Sequence, residues 1–487
     1  MINHFLIKIR NTPNLHLLGI TLLVAYLLIN LFSLSSYTLP WFDETFMASI
    51  THSLSQGQGL KLEISPLSRH NEQVLTYGPV YFILTLLSTK LIGFTPFGFR
   101  LVNFIAAMLV VLLLYRRLKH YKYARWFIVL VLLDPMFLQD AHSGRMDMVA
   151  LLFVTAAFYK VEAIKYTYRS FILIGIFAAM ALLTTPRVAF ILLPLGLYYL
   201  IKGFHLKQAG PVLLAGAVCF SIYYIWIIRA FGGMQGILDY YFDGTSNGLA
   251  ANFIGINTRI PVFQWPLLIM SLCATACHVY HWHNLNALQI NMLLSILLFY
   301  LCVVDTGIYS ALIIPFLYAL LIIGWQSTEN RKIVKLMAIV LLCINAGTAL
   351  CKFTSIGLTY NERNYRVMNA WHQEHIPAGA RIAGDDVYYY VAINNQNDYQ
   401  YIHRGGEIKE RIAYHQKSFK PHYLMIGPYT PPEVVEQYKS AFNIIDSLHI
   451  TYPEDTKLKQ TILELLKYGQ IKHPMSYEGT VYKIAQP

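Results

Sequence analysis

About eleven apolar stretches divide the first 351 residues of this chain, each close to the roughly 20 residues a helix needs to cross a hydrocarbon core. They lie near 15–35, 98–115, 119–138, 147–163, 170–186, 188–202, 209–228, 262–280, 285–304, 307–325 and 333–351. Inside a bilayer the backbone has no water to bond, so a succession of such stretches folds as a bundle of transmembrane α-helices. Composition agrees. Of 487 residues, 56% are hydrophobic and 13% are charged, against roughly 25% charged in soluble domains. The first stretch exceeds the 7–15 residues of a cleavable signal core and is read as a retained helix. The six cysteines (Cys219, Cys273, Cys277, Cys302, Cys343 and Cys351) fall in or beside apolar stretches and read as small hydrophobes, not as a disulfide framework.

The formal net charge of +12 resolves into short clusters between spans, the pattern of topology-setting loops, and no basic, aromatic-interleaved nucleic-acid module stands out. With the N-terminus in the cytoplasm, the inner loops gather Lys8 and Arg10, the Arg116–Arg125 cluster, Lys160–Arg169, Lys202 and Lys207, and Arg331–Lys335. The longer outer loops hold only scattered basic residues. The stretch Tyr77–Phe94 would invert every later loop if it crossed. It carries Lys90 and opens on Gly78-Pro79, so it is read as an interfacial helix on the outer face, with Thr45–Leu54 as a shorter companion. Eleven spans leave the C-terminus outside.

After about Lys352 the composition turns polar. Arg381–Ala383, His422–Ile426 and Val481–Ile484 read as strands, and Pro432–Ser440 and Thr456–Tyr468 as helices. The expected organisation is a transmembrane domain over 1–351, with a first outer loop at about 36–97, and a small α/β domain over 352–487 on the outer face.

Polar side chains collect in the outer loops. The first holds Asp43, Glu44, Arg69, His70 and Tyr77; the second holds His142, Arg145 and Asp147; the third is Thr184-Thr185-Pro186-Arg187. Tyr241 and Arg259 stand in the long fourth loop, and Tyr309 in the fifth. Charge at a membrane edge is costly and usually functional. Asp43, Glu44 and Asp147 are the candidate catalytic acids, since a carboxylate can take a proton from an attacking hydroxyl. The arginines suit a phosphate leaving group, which they can hold bidentately. The blander readings are a solvated Asp43-Glu44 loop, an Arg145–Asp147 pair that caps a helix, and an Arg187 that anchors one. Oxygen ligands from Asp43 and Asp147, with water, would suit Mg or Mn, though the spacing does not demand an ion. Cys273, Cys277, His278, His281 and His283 look like a metal cluster on paper but fall on the inner side.

These residues resemble the GT-C superfamily of membrane glycosyltransferases, and within it the glycosyltransferase family 39 branch of lipid-A aminoarabinose transferases and relatives of protein O-mannosyltransferases. The likeness runs in order over about 15–325 and is carried by Phe42-Asp43-Glu44, Tyr77-Gly78-Pro79-Val80-Tyr81, Arg100-Leu101, Arg145-Met146-Asp147, Thr184-Thr185-Pro186-Arg187, Asp239-Tyr240-Tyr241-Phe242 and Tyr309 with Pro315. The resemblance implies a multi-pass protein of a bacterial inner membrane, with its active site in the periplasm. It implies a sugar donor linked to polyprenyl phosphate, drawn from the membrane lipid, and inverting transfer to an envelope acceptor that is a glycan, a lipid or a protein. By the same likeness Asp43 is the base, with Glu44 positional, Asp147 is a second acidic position in the cavity, and Tyr309 lies near the phosphate. Aminoarabinose transferases carry an Arg where this chain has Phe46 and a Lys where it has Gly78. Those departures point away from aminoarabinose and shift the phosphate role to Arg69, Arg145, Arg187 or Arg259.

The alternative is a transporter or flippase of lipid-linked glycans. Transporters place functional charge near the midplane, commonly on broken helices within repeats, whereas here it gathers at outer loop ends and no repeat is visible. A noncatalytic relative whose outer domain binds partners is a third reading.

Overall fold

The computed structural model describes residues 13–65, 67, 77–159, 168–205, 209–233, 235, 264–282, 285–303, 309–327, 331–403, 407–452, 457–466 and 476–485. The chain enters through α1 (Pro13–Phe32), then α2 (Phe42–Ser55), α3 (Pro79–Ile92), α4 (Pro96–Leu118), α5 (Ala124–Leu133), α6 (Pro135–Ala141) and α7 (Asp147–Phe158). It continues through α8 (Tyr168–Leu182), α9 (Ala189–His205), α10 (Ala209–Phe231), α11 (Trp265–Trp282), α12 (Ala287–Cys302), α13 (Ile314–Ser327) and α14 (Arg331–Leu358).

Local sequence sets several of these boundaries. Thr95 caps α4 by accepting from the Gly98 N–H, with Pro96 at the first helical position. Asn286 and Gln289 form a capping box at the start of α12. Asp134 ends α5 and caps α6, accepting from the N–H groups of Met136 and Phe137, because the residue before a proline is driven out of the helical region. That break splits the stretch expected over 119–138 into two helices.

Each expected apolar stretch coincides with a helix. By length and composition, however, only Pro96–Leu118 and Lys332–Leu358 are long and apolar enough to cross a bilayer unaided among the described residues; the other helices carry apolar segments of 10–17 residues. Prolines and polar residues trim those segments at Pro135 and Pro186. Small residues bring neighbouring axes together. A Cβ on Gly175 would sit 2.4 Å from the Ala215 carbonyl oxygen, and one on Gly324 would sit 2.5 Å from the Ala274 backbone. Close packing of this kind supplies helix association where the hydrophobic effect cannot. The outside of the bundle exposes Leu22, Phe32, Ile105, Leu197, Ile225 and Leu350, a coat that suits lipid better than water.

The last bundle helix runs to Leu358, so the change of composition at Lys352 falls within it. Beyond it come α15 (Tyr365–His375), β1 (Arg381–Gly384), α16 (Tyr389–Asn394), β2 (Asp398–Tyr401), α17 (Ile408–Tyr414), β3 (Tyr423–Ile426), α18 (Pro432–Ala441), β4 (Ile444–Ile450), α19 (Lys457–Leu466) and β5 (Gly479–Ile484). The sheet order is β2-β1-β3-β5-β4. The first three strands are parallel, and β5 runs antiparallel to β3 and β4. The three expected strands and both expected helices are present, joined by β2 and β4. The carboxyl end of β2 faces the bundle: the Tyr401 N–H donates to the Ile64 carbonyl at 2.9 Å.

Candidate active site

Asp43 stands in the first turn of α2, its side chain 32% exposed. Trp41, just before the helix, is extended, and the first turn meets the loop between α6 and α7. That loop supplies Arg145. The Arg145 Nε lies 3.0 Å from Asp147 Oδ2 and 3.8 Å from Asp43 Oδ2. Neither Asp147 oxygen makes a directed hydrogen bond, so the shorter contact is a charge pair. Burial alone would lower the Arg145 pKa, but Asp147, Asp140 and Asp43 around it raise it.

Aromatic rings and guanidinium groups alternate away from this centre. Arg145 lies over the Trp41 ring at 5.7 Å and the Tyr309 ring at 4.6 Å. Arg187 lies over the other side of the set, 4.1 Å from the Tyr309 ring centroid and 5.9 Å from that of Tyr77. Desolvated cation–π contacts of this sort are worth about 2 kcal/mol. Burial pushes the Tyr309 hydroxyl up to about 12, against the pull of Arg187 and Arg145. Burial likewise lowers the Arg187 pKa, while Tyr77, Tyr309 and Asp147 raise it further than burial lowers it. The Arg187 Nη1 is buried and has no hydrogen-bond partner. A buried donor left unmade is expensive, which makes that atom the natural contact for an arriving anion.

Phe42, Asp43, Phe46, Tyr77, Arg145 and Tyr309 line a cavity of about 100 Å³, with Met47 and Met146. A larger groove of about 780 Å³ opens beside it, walled by Leu54, Leu60, Ile83, Leu183, Trp226 and Arg229. Pro79 also borders this groove, close in the chain to Tyr77, and Leu183 lies close to Arg187. Gly78 lies in the chain between Tyr77 of the cavity and Pro79 of the groove. A Cβ there would lie 2.1 Å from the Leu183 carbonyl oxygen, so the backbone contact leaves no room for the lysine that aminoarabinose transferases carry at this position. Phe46, the other departure, is part of the cavity wall.

Glu44 parts company with its neighbour. Its carboxylate is fully buried and takes a bidentate pair from Arg100, Nε to Oε1 at 2.9 Å and Nη2 to Oε2 at 2.8 Å. Arg100 Nη1 donates to the carbonyls of Leu34 and Thr38 at 2.7 and 2.8 Å, which ties the end of α1 to α4. A Cβ on Gly144 would sit 2.4 Å from Glu44 Cγ, so glycine is required there. Glu44 lines neither the cavity nor the groove, and its carboxylate is taken up by Arg100, so it is placed as a structural acid and not a catalytic one.

His142 also stands apart from the cavity. Its Nδ1 is 2.8 Å from the Leu138 carbonyl and its Nε2 is 3.1 Å from the Asn30 carbonyl, with the ring stacked on Tyr37 at 4.0 Å. It therefore packs the α1–α6 junction and is not placed to bind phosphate. Arg69, His70, Tyr241 and Arg259 lie outside the described residues.

The pair Asp43 and Asp147 does not fit a divalent ion as arranged. The Arg145 guanidinium stands against both carboxylates and brings the positive charge an ion would supply. Among the described residues no group of three or more His, Cys, Asp or Glu side chains is arranged to hold a metal.

Three participants were given no role in the site by sequence, although Asp140 stands in the second outer loop and Arg100 in the run Arg100-Leu101. Trp41 and Arg100 are long-range partners, though a charge near the start of an apolar helix was a signal for Arg100. Asp140 is buried near Arg145, and its Oδ2 has no hydrogen-bond partner. Burial lifts its carboxyl well above the usual range; Arg145 opposes that rise, and Asp147 and Asp43 add to it.

Residues 76–228 match the family of dolichyl-phosphate-mannose-protein mannosyltransferases. No curated protein matches the chain by sequence. Among solved structures, the chain is similar to ArnT from Cupriavidus metallidurans bound to undecaprenyl phosphate, at 13% identity and a TM-score of 0.62, covering 95% of this chain and 97% of that one. The apo state of the same protein gives 12% identity and a TM-score of 0.60, covering 97% and 98%. At that identity the likeness is one of fold.

Proposed function

Starting from a chain with the GT-C membrane glycosyltransferase fold, we propose that it moves a sugar from a polyprenyl-phosphate donor to a hydroxyl of an envelope acceptor, with Asp43 as the base. The observation that carries this reading is the buried, unpartnered Arg187 Nη1 in an aromatic–cation column beside an accessible carboxylate. The donor phosphate sits against Arg187, with Tyr77 and Tyr309 on either side. Its isoprenoid chain follows the apolar groove that opens between α3, α8 and α10.

Asp43 takes the proton of the acceptor hydroxyl as that oxygen attacks the anomeric carbon. The new C–O bond forms as the sugar–phosphate bond breaks, and polyprenyl phosphate leaves with the bonding pair. Attack from the face opposite the phosphate inverts the anomeric centre. Arg145, 3.0 Å from Asp147 and 3.8 Å from Asp43, orients both carboxylates, and Arg187 offsets the charge that develops on the leaving phosphate. Fixed donors aimed at such charge are worth about 3–4 kcal/mol each in other enzymes. The reaction faces the periplasm of a bacterial inner membrane, with the N-terminus in the cytoplasm.

The test is to incubate the purified protein with a panel of polyprenyl-phosphate sugars and a cell-envelope extract, following release of polyprenyl phosphate. One donor is expected to be consumed by the wild type and not by Asp43→Asn. If neither protein consumes any donor, the transferase reading fails.

A further inference from the structure

We propose that the β-sheet domain is a positioning element for the reaction, and that Tyr390 and Tyr401 hold the first turn of α2 so that Asp43 meets the acceptor. The proposal rests on the reading of Asp43 as the base.

The two residues that follow Asp43 are each gripped by a tyrosine more than 300 positions away in sequence. Tyr390 donates its hydroxyl to Glu44 Oε1 at 3.3 Å, so the Glu44–Arg100 pair includes a donor from α16. The Thr45 hydroxyl lies 2.6 Å from the Tyr401 hydroxyl. Thr45 Oγ1 also lies 3.1 Å from the Trp41 carbonyl, which can only accept. With the Thr45 proton given to the Trp41 carbonyl, or to that of Phe42 at 3.3 Å, Tyr401 is the donor to Thr45. The chain of bonds ends at Trp41 or Phe42, and the Trp41 ring faces Arg145.

The same tyrosines bear on the cavity wall. The Tyr401 ring is 5.7 Å from that of Phe42, which lines the cavity. Asp43 lies between Phe42 and Glu44, so both flanking residues are held from the sheet domain. The docking is fixed on two further sides: the Tyr401 N–H bonds the Ile64 carbonyl, and Asn394 Nδ2 donates to the Phe94 carbonyl at 2.7 Å. A shift of the domain is thus passed to the Asp43 carboxylate, and misplacement by about 1 Å costs on the order of 10²-fold in rate.

The experiment uses the full-length protein in detergent or nanodiscs. Tyr401→Phe and Tyr390→Phe each remove one hydroxyl and leave the ring. The expected result is a fall of about 5- to 20-fold in kcat for the donor consumed in the panel above, with its KM unchanged. Hydrogen exchange is expected to rise in residues 42–47 and to stay the same in α7. Thr45→Val removes the Tyr401 bond from the bundle side, and the Tyr401→Phe/Thr45→Val double variant is expected to match the worse single variant. Thr45→Val also serves if Tyr401→Phe does not fold. Unchanged kcat in both tyrosine variants, or a rise in KM alone, overturns the proposal while an inactive Asp43→Asn leaves Asp43 standing as the base. Full turnover by Asp43→Asn overturns both. In that case the exchange data still report whether the tyrosines hold α2.

Discussion

Two adjacent carboxylates, Asp43 and Glu44, each meet an arginine, and the two pairs are built for opposite ends. Glu44 and Arg100 are closed: both side chains are wholly buried, the contact is bidentate, and the guanidinium's remaining edge is taken by two carbonyls. Around Arg145 the charge does not balance. One guanidinium faces Asp43, Asp147 and Asp140, several carboxylate oxygens lack hydrogen bonds, and Asp43 opens to a cavity. A satisfied buried pair specifies structure, and removing one partner leaves an uncompensated charge. An unsatisfied set with access to solvent is poised for a ligand.

The sharpest way to break this contrast is to neutralise each acid in turn. Asp43→Asn is expected to lower turnover by about 10²–10⁴-fold, the range for a lost general base, with melting temperature and size-exclusion profile retained. Glu44→Gln leaves Arg100 buried without its counter-charge and is expected to cost about 3–5 kcal/mol of stability, seen as a lower melting temperature and poor recovery from membranes. A stable Glu44→Gln and an unfolded Asp43→Asn would reverse the assignment.

The next test concerns the far end of the column. Arg187→Gln is expected to lower donor kcat/KM by about 10- to 150-fold, the equivalent of about 1.5–3 kcal/mol for a hydrogen bond to a charged group. Loss of the cation–π contacts with Tyr309 and Tyr77 should lower stability by about 2 kcal/mol, so kinetics are compared at a temperature where both proteins stay folded. Unaltered kinetics would move the phosphate contact to another basic residue.

What the sequence revealed and what it hid divide along the same line. The apolar stretches mark the helices because burial in lipid is a local, compositional demand. Asp43, Arg145 and Asp147 were legible because charge at the end of an apolar helix is conspicuous, and Arg187 because it follows the Thr-Thr-Pro turn. Glu44 stood among the candidate acids, and the likeness made it positional; its partner, Arg100, lies 56 positions away, and pairing at that distance leaves no local pattern. His142 was misread for the same reason: its partners include the Asn30 carbonyl, 112 positions back. The strand Asp398–Tyr401 was missed because its sequence, Asp-Tyr-Gln-Tyr, has no apolar run. Its backbone pairs with β1, and its last N–H bonds Ile64 in the bundle. The second missed strand, Ile444–Ile450, is a sheet edge with much of its length exposed.

A smaller effect tests whether the sheet domain is a rigid platform. His415 is buried between Gln400 and Tyr438, 3.2 and 3.1 Å from its two ring nitrogens. Burial, reinforced by Arg411, lowers its pKa to about 3. In the unfolded chain it titrates near 6.5. The unfolded state therefore binds the extra proton first, so the stability from neutral His415 is complete above about pH 6.5 and is lost progressively as pH falls toward 3. Between pH 6.5 and 5 the loss is about 2 kcal/mol. The opening free energy of β2 and α17 amides, from exchange rates corrected for their intrinsic pH dependence, should fall over that range in the wild type, and His415→Gln should remove that part of the fall. Equal pH dependence in both proteins would place the titrating group elsewhere.

The smallest expected effect is none at all, and it bears directly on the open set of charges. If Arg145 supplies the positive charge between Asp43 and Asp147, extensive treatment with a chelator should leave turnover of the consumed donor unchanged, and added Mg or Mn should not raise it. A divalent ion on the same two carboxylates would have to displace the Arg145 Nε from 3.0 Å of Asp147, and its cation–π contacts with Trp41 and Tyr309 would be lost with it. Chelator inhibition reversed by Mn would therefore show more than a metal requirement: the guanidinium would have to swing out of the set during turnover. Arg145→Met separates the cases. With no ion, the variant leaves Asp43 and Asp147 without their counter-charge and should lose both turnover and stability. With an ion, Mn should restore stability to the variant in a concentration-dependent way.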